Sequence, residues 1–389
     1  MLITQVNLPS FDRDLELLTR ARSLVPGLRV ILVGAAGRWF HDRILSNGLA
    51  EVVMEESEEL LVSDNAQALV RNEWEALQGC SIWRDGAMVR LPTRTPMRNL
   101  DFVDFPAYEL LDFTRYESDY YFGKRYRYAT VFTTKGCPYR CGYCPYPYGF
   151  GRALLYRSPA HVGADIERLK REFGVEQILF RDQVFTINPR HARAVCEELI
   201  RRDLGVVWLC ETRYDLVDEE MIDLMWRAGC REIHYGLESA DETLFASVAK
   251  TDGPKSLDLF ANVIAWTKAR GMRVHVHLIV GLPDESRESV RHTSAWLRKV
   301  KPDSVQVGYF MPYPGTPMYD ELRVSRELGD VENIAWDSLG AFSNPVLPTR
   351  HLSIEQVRKA RHRIQVDWKY TLADRVVNRL RRIVGLPVR

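Results

Sequence analysis

The sequence has almost no excess of either charge. Its 53 lysine and arginine residues oppose 52 aspartate and glutamate residues, which gives a net charge of +1 over 389 residues. No global field therefore points to nucleic acid, and we expect no nucleic-acid partner. The chain also has no apolar run long enough to span a bilayer, and its N-terminus lacks the pattern of a signal peptide. We therefore expect a cytoplasmic protein without membrane association, in which thiols stay reduced.

A disulfide framework is equally absent from the pattern. The chain has seven cysteines, an odd number in a long sequence without an export signal. Four of them are scattered through apolar or mixed surroundings and are interpreted as small buried hydrophobic residues: Cys80, Cys196, Cys210 and Cys230.

The other three cysteines lie close together, in the stretch TTKGCPYRCGYCPY, as Cys137, Cys141 and Cys144. A thioredoxin-like redox pair does not need the third cysteine. A structural zinc site needs four ligands, commonly as two separated pairs, and no second pair follows. A four-iron cluster held by three thiolates keeps one iron open for a substrate or cosubstrate. The spacing favours the cluster over zinc or a redox pair.

The chain around the triplet predicts an α/β fold. The run YATVFTTKGC indicates a strand that ends at the first cysteine, and five helix–strand units follow it, the sixth strand being SVQVGYFMPYPG. Alternation of this kind predicts a parallel sheet with right-handed crossovers. Six units are too few for a closed eightfold barrel, so we predict a partial (β/α)6 barrel.

The C-x3-C-x2-C spacing, with Tyr143 before the last cysteine, resembles the radical S-adenosylmethionine (SAM) superfamily. The strand ends resemble further landmarks of that family, in the segments FRDQVF, ETR, GLES, VGLPDE and PYPGTP. The family pattern has a second acidic residue on the second strand, where this chain has Gln183. The resemblance implies a [4Fe-4S] cluster, SAM as cosubstrate, and an electron donor such as flavodoxin or ferredoxin.

The resemblance also implies roles for individual residues. Cys137, Cys141 and Cys144 would be the metal ligands, and Arg213 would bind the SAM carboxylate. Asp182 and Glu238 would bind the ribose hydroxyls or the amino group of SAM. The remaining predicted cofactor contacts are Tyr143, Phe180, Ile279 and Gly281.

Strand alternation adds three candidates for catalysis. On the fourth strand, His234 and Glu238 share one face while the apolar residues occupy the other. On the fifth strand, His275 and His277 lie opposite a second apolar face. Because helices cover the outside of a parallel sheet, these histidines should point into the barrel. Each one taken singly has the alternative interpretation of a hydrogen-bonded core or rim histidine.

The N-terminal region resembles the cobalamin-binding subgroup of the family. We predict a truncated doubly wound domain over residues 1–95, with about three strands, then a linker over 96–128. The barrel is predicted over 129–330 and a helical C-terminal extension over 331–389. No D-x-H-x-x-G segment occurs, and His41 is interpreted as a helix-surface residue. Cobalamin is therefore left open as a further cofactor.

The reaction implied is reductive cleavage of SAM to a 5′-deoxyadenosyl radical. The leading hypothesis for the overall reaction is cobalamin-type methylation of an unactivated carbon in a small-molecule or natural-product intermediate. Cobalamin-independent rearrangement, cyclisation or oxidation is the alternative, and a non-catalytic iron–sulfur sensor or scaffold is the alternative from another class. The basic C-terminal stretch from Arg375 to Arg382 is interpreted as a solvated helix face or a barrel lid, with an anionic membrane surface as its alternative.

Overall fold

A computed structural model gives the fold of this chain. The structure describes residues 1–55, 58–93, 99–118, 125–248, 256–331, 333–334, 336 and 342–368. The basic stretch from Arg375 to Arg382 lies outside them, as do parts of the acidic segment after Glu55. Within the described residues, no helix is both long enough and apolar enough to cross a bilayer.

The N-terminal sheet has five strands in sequential order, where the sequence pattern predicts about three. The strands are β1 (Leu2–Gln5), β2 (Val30–Val33), β3 (Val52–Met54), β4 (Cys80–Arg84) and β5 (Ala87–Leu91). The first three pair in parallel, whereas β4 pairs antiparallel with both β3 and β5. The β4–β5 hairpin turns at Asp85-Gly86, both with positive φ (52° and 79°), which is the Asp-Gly signal of a type I′ turn.

Helices cover both faces of this sheet. They are α1 (Phe11–Leu24), α2 (Ala35–Trp39), α3 (His41–Ser46) and α4 (Glu58–Arg71). Alternate residues of β2 enter different cores: Leu32 packs in the cluster that contains Phe11 of α1, and Ile31 packs in the cluster that contains Leu69 of α4. The domain is therefore a mixed sheet buried on both sides.

The second large sheet has the strand order β14-β13-β12-β11-β10-β7-β6. Its strands are β6 (Glu117–Ser118), β7 (Tyr126–Val131), β10 (Gln177–Phe180), β11 (Val207–Thr212), β12 (Cys230–Glu238), β13 (Arg273–Val280) and β14 (Ser304–Tyr309). β7 pairs in parallel with β10, and β11 to β14 pair in parallel with one another. The predicted partial (β/α)6 barrel is confirmed, with β6 as an antiparallel addition at one edge.

The helices that alternate with these strands begin where the sequence offers a capping side chain. Ser158, Asn188, Asp218, Ser256 and Ser286 each accept a hydrogen bond from a backbone N–H in the first turn. The helices are α5 (Tyr146–Phe150), α6 (Pro159–Phe173), α7 (Pro189–Arg202), α8 (Glu219–Arg227), α9 (Glu242–Val248), α10 (Leu257–Ala269), α11 (Arg287–Val300), α12 (Pro317–Ser325) and α13 (Ile354–Asp367).

Shorter elements complete the described chain. The strands β8 (Thr134–Lys135) and β9 (Leu155–Tyr156) form a small antiparallel pair. Single 3₁₀ turns occur at Leu8–Ser10, Trp74–Ala76, Tyr108–Leu110, Phe113–Arg115 and Tyr214–Leu216.

The facing predicted for β12 is confirmed by its contacts. The Tyr235 hydroxyl lies 3.0 Å from Thr267 Oγ1 of α10, and its ring meets Phe260 of the same helix. Tyr235 therefore faces the helical layer, and His234, one residue away, faces the opposite side.

The chain packs as two compact units. The first contains Met1–Phe185, Pro312–Val324 and Asp330–Leu339. The second contains Thr186–Met311, Ser325–Gly329 and Gly340–Arg389. In the second unit α13 packs against the barrel strands, where Arg361 Nε donates to the carbonyl of Val307 at 2.8 Å. A helical extension is thereby confirmed as far as Asp367, and the predicted domain boundaries stay predictions.

One buried ion pair should make a large contribution to the free energy of unfolding of the first unit. Arg157 Nη2 donates to Asp165 Oδ2 at 2.8 Å, and Tyr108 Oη donates to Asp165 Oδ1 at 3.0 Å. Because Asp165→Asn removes the charge opposite a buried guanidinium, we expect the free energy of unfolding to fall by about 3–5 kcal/mol. Denaturant unfolding followed by circular dichroism measures the loss.

The matched control lies on the same helix. Glu167 pairs with the exposed Arg171, and Glu167→Gln should change stability by only about 0–1 kcal/mol. Equal losses in the two variants would contradict the buried pair's role.

Candidate functional site

The loop that carries Cys137, Cys141 and Cys144, here called the cysteine loop, follows the end of β7. Hydrogen bonds between its own backbone groups hold it in place. The N–H of Cys137 donates to the carbonyl of Gly151 at 3.1 Å, and the N–H of Cys144 donates to the carbonyl of Cys141 at 3.2 Å. Cys137 is buried, whereas Cys141 and Cys144 are half-buried. The structure therefore presents the three thiols from one loop whose beginning and end are both fixed.

Glycine is required where this loop leaves β8. Gly136 has a φ of +92°, and a Cβ at this position would lie 2.0 Å from the carbonyl oxygen of Ala153. Any side chain there would collide with the backbone of the segment that precedes β9. At the other end, the carbonyl of Gly142 accepts a hydrogen bond of 3.0 Å from the N–H of Met318.

Within the part of the chain that the structure describes, one group of three metal-binding side chains has all its ligand atoms within 4.8 Å: His234, His275 and His277. The three cysteines instead share one loop, which suits a cluster in which each thiolate binds a different iron.

Asp182 is fully buried directly beyond β10, and its carboxylate is held by the start of the cysteine loop. The N–H groups of Thr133 and Thr134 donate to it at 3.0 and 2.6 Å, and both threonine hydroxyls donate at 2.7 Å. Burial raises the pKa of Asp182, and these four donors oppose that shift. The observed contacts position the loop, and the predicted contact of Asp182 with SAM stays a prediction.

The aromatic residues predicted for the cofactor have different surroundings. Phe180 is buried, and its ring centroid lies 5.1 Å from that of Phe185. Tyr143 is half-buried on the cysteine loop. The nearby Tyr146 hydroxyl is hydrogen-bonded to Gln183, and burial raises the pKa of Tyr146 to about 12. Gln183, which replaces the second acid of the family pattern, is therefore engaged with the residue after the cysteine loop.

In the second unit, Arg213 follows β11 and pairs with Asp215. Its Nε donates to Asp215 Oδ1 at 2.9 Å, and its Nη2 donates to Asp215 Oδ2. Both side chains are largely buried, with exposed fractions of 19% and 10%. A forked contact of this kind fixes the orientation of the guanidinium. The sequence analysis named Arg213 and missed its partner, although the short Arg-x-Asp spacing could have indicated it.

The ends of β12 and β13 both adopt left-handed backbone. Glu238 has a φ of +64°, and the pairing of β12 with β13 shifts register between Gly236 and Glu238. Gly281, directly beyond Ile279 and the end of β13, has a φ of +89°, and its N–H donates to the carboxylate of Glu285. Non-glycine residues in this region are strained, and such strain concentrates at functional sites.

The three histidines predicted to share the inner face are brought together. The ring centroids of His234 and His275 lie 4.4 Å apart, those of His275 and His277 4.7 Å, and those of His234 and His277 5.4 Å. His234 and His275 are buried, and His277 is half-buried. Their proximity follows from the sheet register, which aligns His234 with His275 across β12 and β13.

The N-terminal unit places His41 at the start of α3, where its Nδ1 lies 2.8 Å from Glu55 Oε1. The hydroxyl of Ser81 donates to the same oxygen at 2.6 Å. The hydrogen bond to Glu55 raises the pKa of His41, against the effect of burial. The imidazole is thus a half-buried helix residue, 23% exposed, that is held by a buried carboxylate.

The scattered cysteines are all buried, as predicted. Burial raises the pKa of the Cys80 thiol to about 12, and it raises the pKa of Cys196 as well. Thiols in such surroundings remain protonated and are poor metal ligands.

Comparisons with known proteins agree with this geometry. The model of the Radical SAM superfamily matches residues 131–297. An uncharacterized methyltransferase of Pyrococcus horikoshii is 27% identical over 303 residues, 77% of this chain and 63% of the relative. The anaerobic magnesium-protoporphyrin IX monomethyl ester cyclase of Rubrivivax gelatinosus is 27% identical over 329 residues, 82% of this chain and 57% of the relative. The chain thus spans about three-fifths of the length of these curated relatives.

Among solved structures, the radical S-adenosylmethionine methyltransferase TsrM from Kitasatospora setae, with cobalamin and a [4Fe-4S] cluster bound, has the same fold. Its TM-score is 0.69 at 18% identity, covering 93% of this chain and 75% of that one. The cysteine loop, the six parallel strands and the family match lead to one conclusion. Residues 131–297 of this chain form a radical SAM domain.

Proposed function

We propose that this chain holds a [4Fe-4S] cluster through Cys137, Cys141 and Cys144 and reductively cleaves SAM. The geometry of the cysteine loop carries this proposal. The loop presents three thiols beyond the end of a barrel strand, and the N–H groups of its first and last cysteines are held by backbone carbonyls. Three thiolates fit a cluster with one open iron, as family membership implies.

A cluster held by Cys137, Cys141 and Cys144 would supply the electron for reductive cleavage of the SAM carbon–sulfur bond. The residues of this chain orient the reactants and exclude water. Asp182 holds the strand end from which the cysteine loop departs, so the thiols start from a fixed point. Arg213, oriented by Asp215, is the proposed partner of the SAM carboxylate.

For the overall reaction we propose methylation of an unactivated carbon in a small-molecule or natural-product intermediate. The names of the Pyrococcus horikoshii relative and of the TsrM structure support this class, since both are methyltransferases. An electron donor such as flavodoxin or ferredoxin would be the protein partner. Methyl transfer of this kind is the chemistry that cobalamin supplies when it is bound.

In the described part of the N-terminal sheet domain, cobalamin would meet a histidine that is already engaged and close packing beyond β2. His41 is engaged by Glu55 through Nδ1. Beyond β2, a Cβ on Gly149 would lie 2.7 Å from the Cβ of Ala35, and Arg38 Nη1 donates to the Gly149 carbonyl. A corrinoid ring cannot lie between Ala35 and Gly149 while they touch. The residues present therefore do not fit a histidine-ligated cobalamin at this edge.

This packing favours a second candidate, which is radical chemistry without cobalamin. Rearrangement, cyclisation or oxidation would then follow hydrogen abstraction. The name of the Rubrivivax gelatinosus relative, which is similar over 82% of this chain, supports cyclisation as a reaction type. A non-catalytic iron–sulfur sensor or scaffold is the alternative that turnover of SAM would exclude.

Replacing Cys141 tests the cluster. After anaerobic reconstitution we expect about four irons and four sulfides per chain, and Cys141→Ala should lose both the cluster and SAM cleavage. The control is Cys196→Ala, because Cys196 is fully buried on α7 and lies outside the motif. Formation of 5′-deoxyadenosine under reducing conditions, with iron content, provides the measurement. SAM cleavage by the Cys141→Ala protein would refute the assignment.

Replacing Arg213 tests the SAM carboxylate contact. Arg213→Ala should weaken SAM binding to the cluster-loaded protein by about 1.5–3 kcal/mol, the range for a hydrogen bond to a charged group. The matched control is Arg227→Ala on α8, which breaks a more exposed pair with Asp223. The iron–sulfur absorption spectrum should be preserved in both. Equal SAM affinities in wild type and Arg213→Ala would assign the carboxylate to another residue.

Cobalt content decides between the two candidate reactions. Hydroxocobalamin is added during anaerobic reconstitution, the protein is desalted, and cobalt and the absorption spectrum are measured. Because Glu55 engages His41, we expect any retained corrinoid to be His-off, with the same spectrum in His41→Gln. About one cobalt per chain, with label transfer from methyl-labelled SAM, supports methylation. Cobalt near zero, with 5′-deoxyadenosine still formed, would exclude methylation through cobalamin. A His-on spectrum lost in His41→Gln would overturn the ligation argument.

A further inference from the structure

The three histidines inside the second unit form a cluster to which the proposed SAM cleavage assigns no role. His234, His275 and His277, here called the histidine trio, offer ligand nitrogens that all lie within 4.8 Å of one another. About 20 Å of extended strand separates His275 from Gly281 at the end of β13, whereas His277 lies two residues before Ile279. The trio therefore begins below the strand ends and reaches toward the predicted cofactor contacts.

A hydrogen bond fixes the ring orientation of two members of the trio, His234 and His275. His234 Nε2 lies 2.8 Å from the buried carboxylate of Glu232. Nδ1 is therefore the ring nitrogen that does not face Glu232. His275 Nδ1 lies 2.6 Å from the Ser304 hydroxyl, so Nε2 is the atom directed elsewhere. Metal-binding histidines typically engage their second nitrogen in this way, with a carboxylate, a carbonyl or a similar polar group.

His275 Nε2 supplies an independent sign of a missing ligand. The His275 side chain is 2% exposed, and Nε2 makes no hydrogen bond within the described structure. A buried polar atom without a partner is costly, and such an atom calls for an explanation such as an ion. Hydrogen bonding within the cluster does not satisfy it, which argues against a self-contained core network.

The donor set of the trio suits a metal cation. Glu232 is fully buried, and its second oxygen lies 3.3 Å from Arg273 Nε, so the carboxylate that orients His234 is itself held in place. Three imidazole nitrogens without a thiolate suit zinc and related divalent transition metals.

We propose that the histidine trio binds one divalent transition-metal ion, zinc by its coordination preference, with a fourth position open to water or a small ligand. Three protein ligands with one open position are typical of zinc sites that act on a ligand rather than sites that only support a fold. Glu232 and Ser304 are positioning residues that orient His234 and His275. The proposal does not depend on the reaction at the cysteine loop.

The test uses the full chain with its iron–sulfur cluster already reconstituted, so that the cysteines are occupied. Zinc is added, excess ion is removed by desalting, and zinc and iron are counted by mass spectrometry. We expect about one zinc per chain beside an unchanged iron content. His275→Gln and His277→Gln should each lower the zinc content at least tenfold without loss of iron. X-ray absorption should show nitrogen ligands at about 2.0–2.1 Å and no sulfur at about 2.3 Å.

Two controls make the outcome decisive. His292→Gln removes an exposed histidine of α11 that pairs with Asp241, and it should keep its zinc. Ser304→Ala keeps all three ligands and should weaken zinc binding by about 10- to 100-fold, which tests the site even if a trio variant fails to fold. Zinc near zero in the wild type, a sulfur shell, or full zinc retention in His275→Gln would each overturn the proposal.

Discussion

The carboxylate of Asp182 joins the ends of two neighbouring strands, since it lies just beyond β10 and accepts its hydrogen bonds from Thr133 and Thr134 beyond β7. A buried carboxylate is costly unless donors surround it, and here two amides and two hydroxyls do so. The same contacts fix the backbone from which the cysteine loop departs. The placement of Cys137 therefore depends on Asp182, which fixes the point from which the cysteine loop starts.

Much of the barrel could be predicted from the sequence because its signals are local and repeated. Amphipathic helices with a capping residue, such as α7 after Asn188, alternate with short apolar strands, and each unit supports the interpretation of the next. Alternation along β12 also predicted that Tyr235 and His234 face opposite ways, and the contact of Tyr235 with α10 confirms it. The convergence of His234 with His275 required the sheet register as well, which alternation alone does not supply.

The sequence pattern was less informative where long-range contacts decide the outcome. The sequence pattern did not indicate β1 or the β4–β5 hairpin of the N-terminal sheet, because short strands carry little periodicity. The Asp85-Gly86 turn was the available signal for the hairpin. Asp182 was assigned to SAM by resemblance, whereas its observed partners are two threonines distant in sequence. Asp215, the partner of Arg213, was missed because motif matching identifies the residue that meets a ligand but not the one that orients it.

These partners have a common physical consequence. Arg213 is matched by Asp215, Glu232 by His234 and Arg273, and Asp182 by its threonine donors. Charged groups in a barrel interior are best matched before any ligand arrives, since a low dielectric makes each unmatched charge costly. Under the proposed function, a cosubstrate carboxylate would meet a guanidinium that is already oriented and partly neutralised. Such an arrangement sacrifices some electrostatic attraction but limits the reorganisation that binding requires, and a radical enzyme benefits because misplaced reactants lead to side reactions.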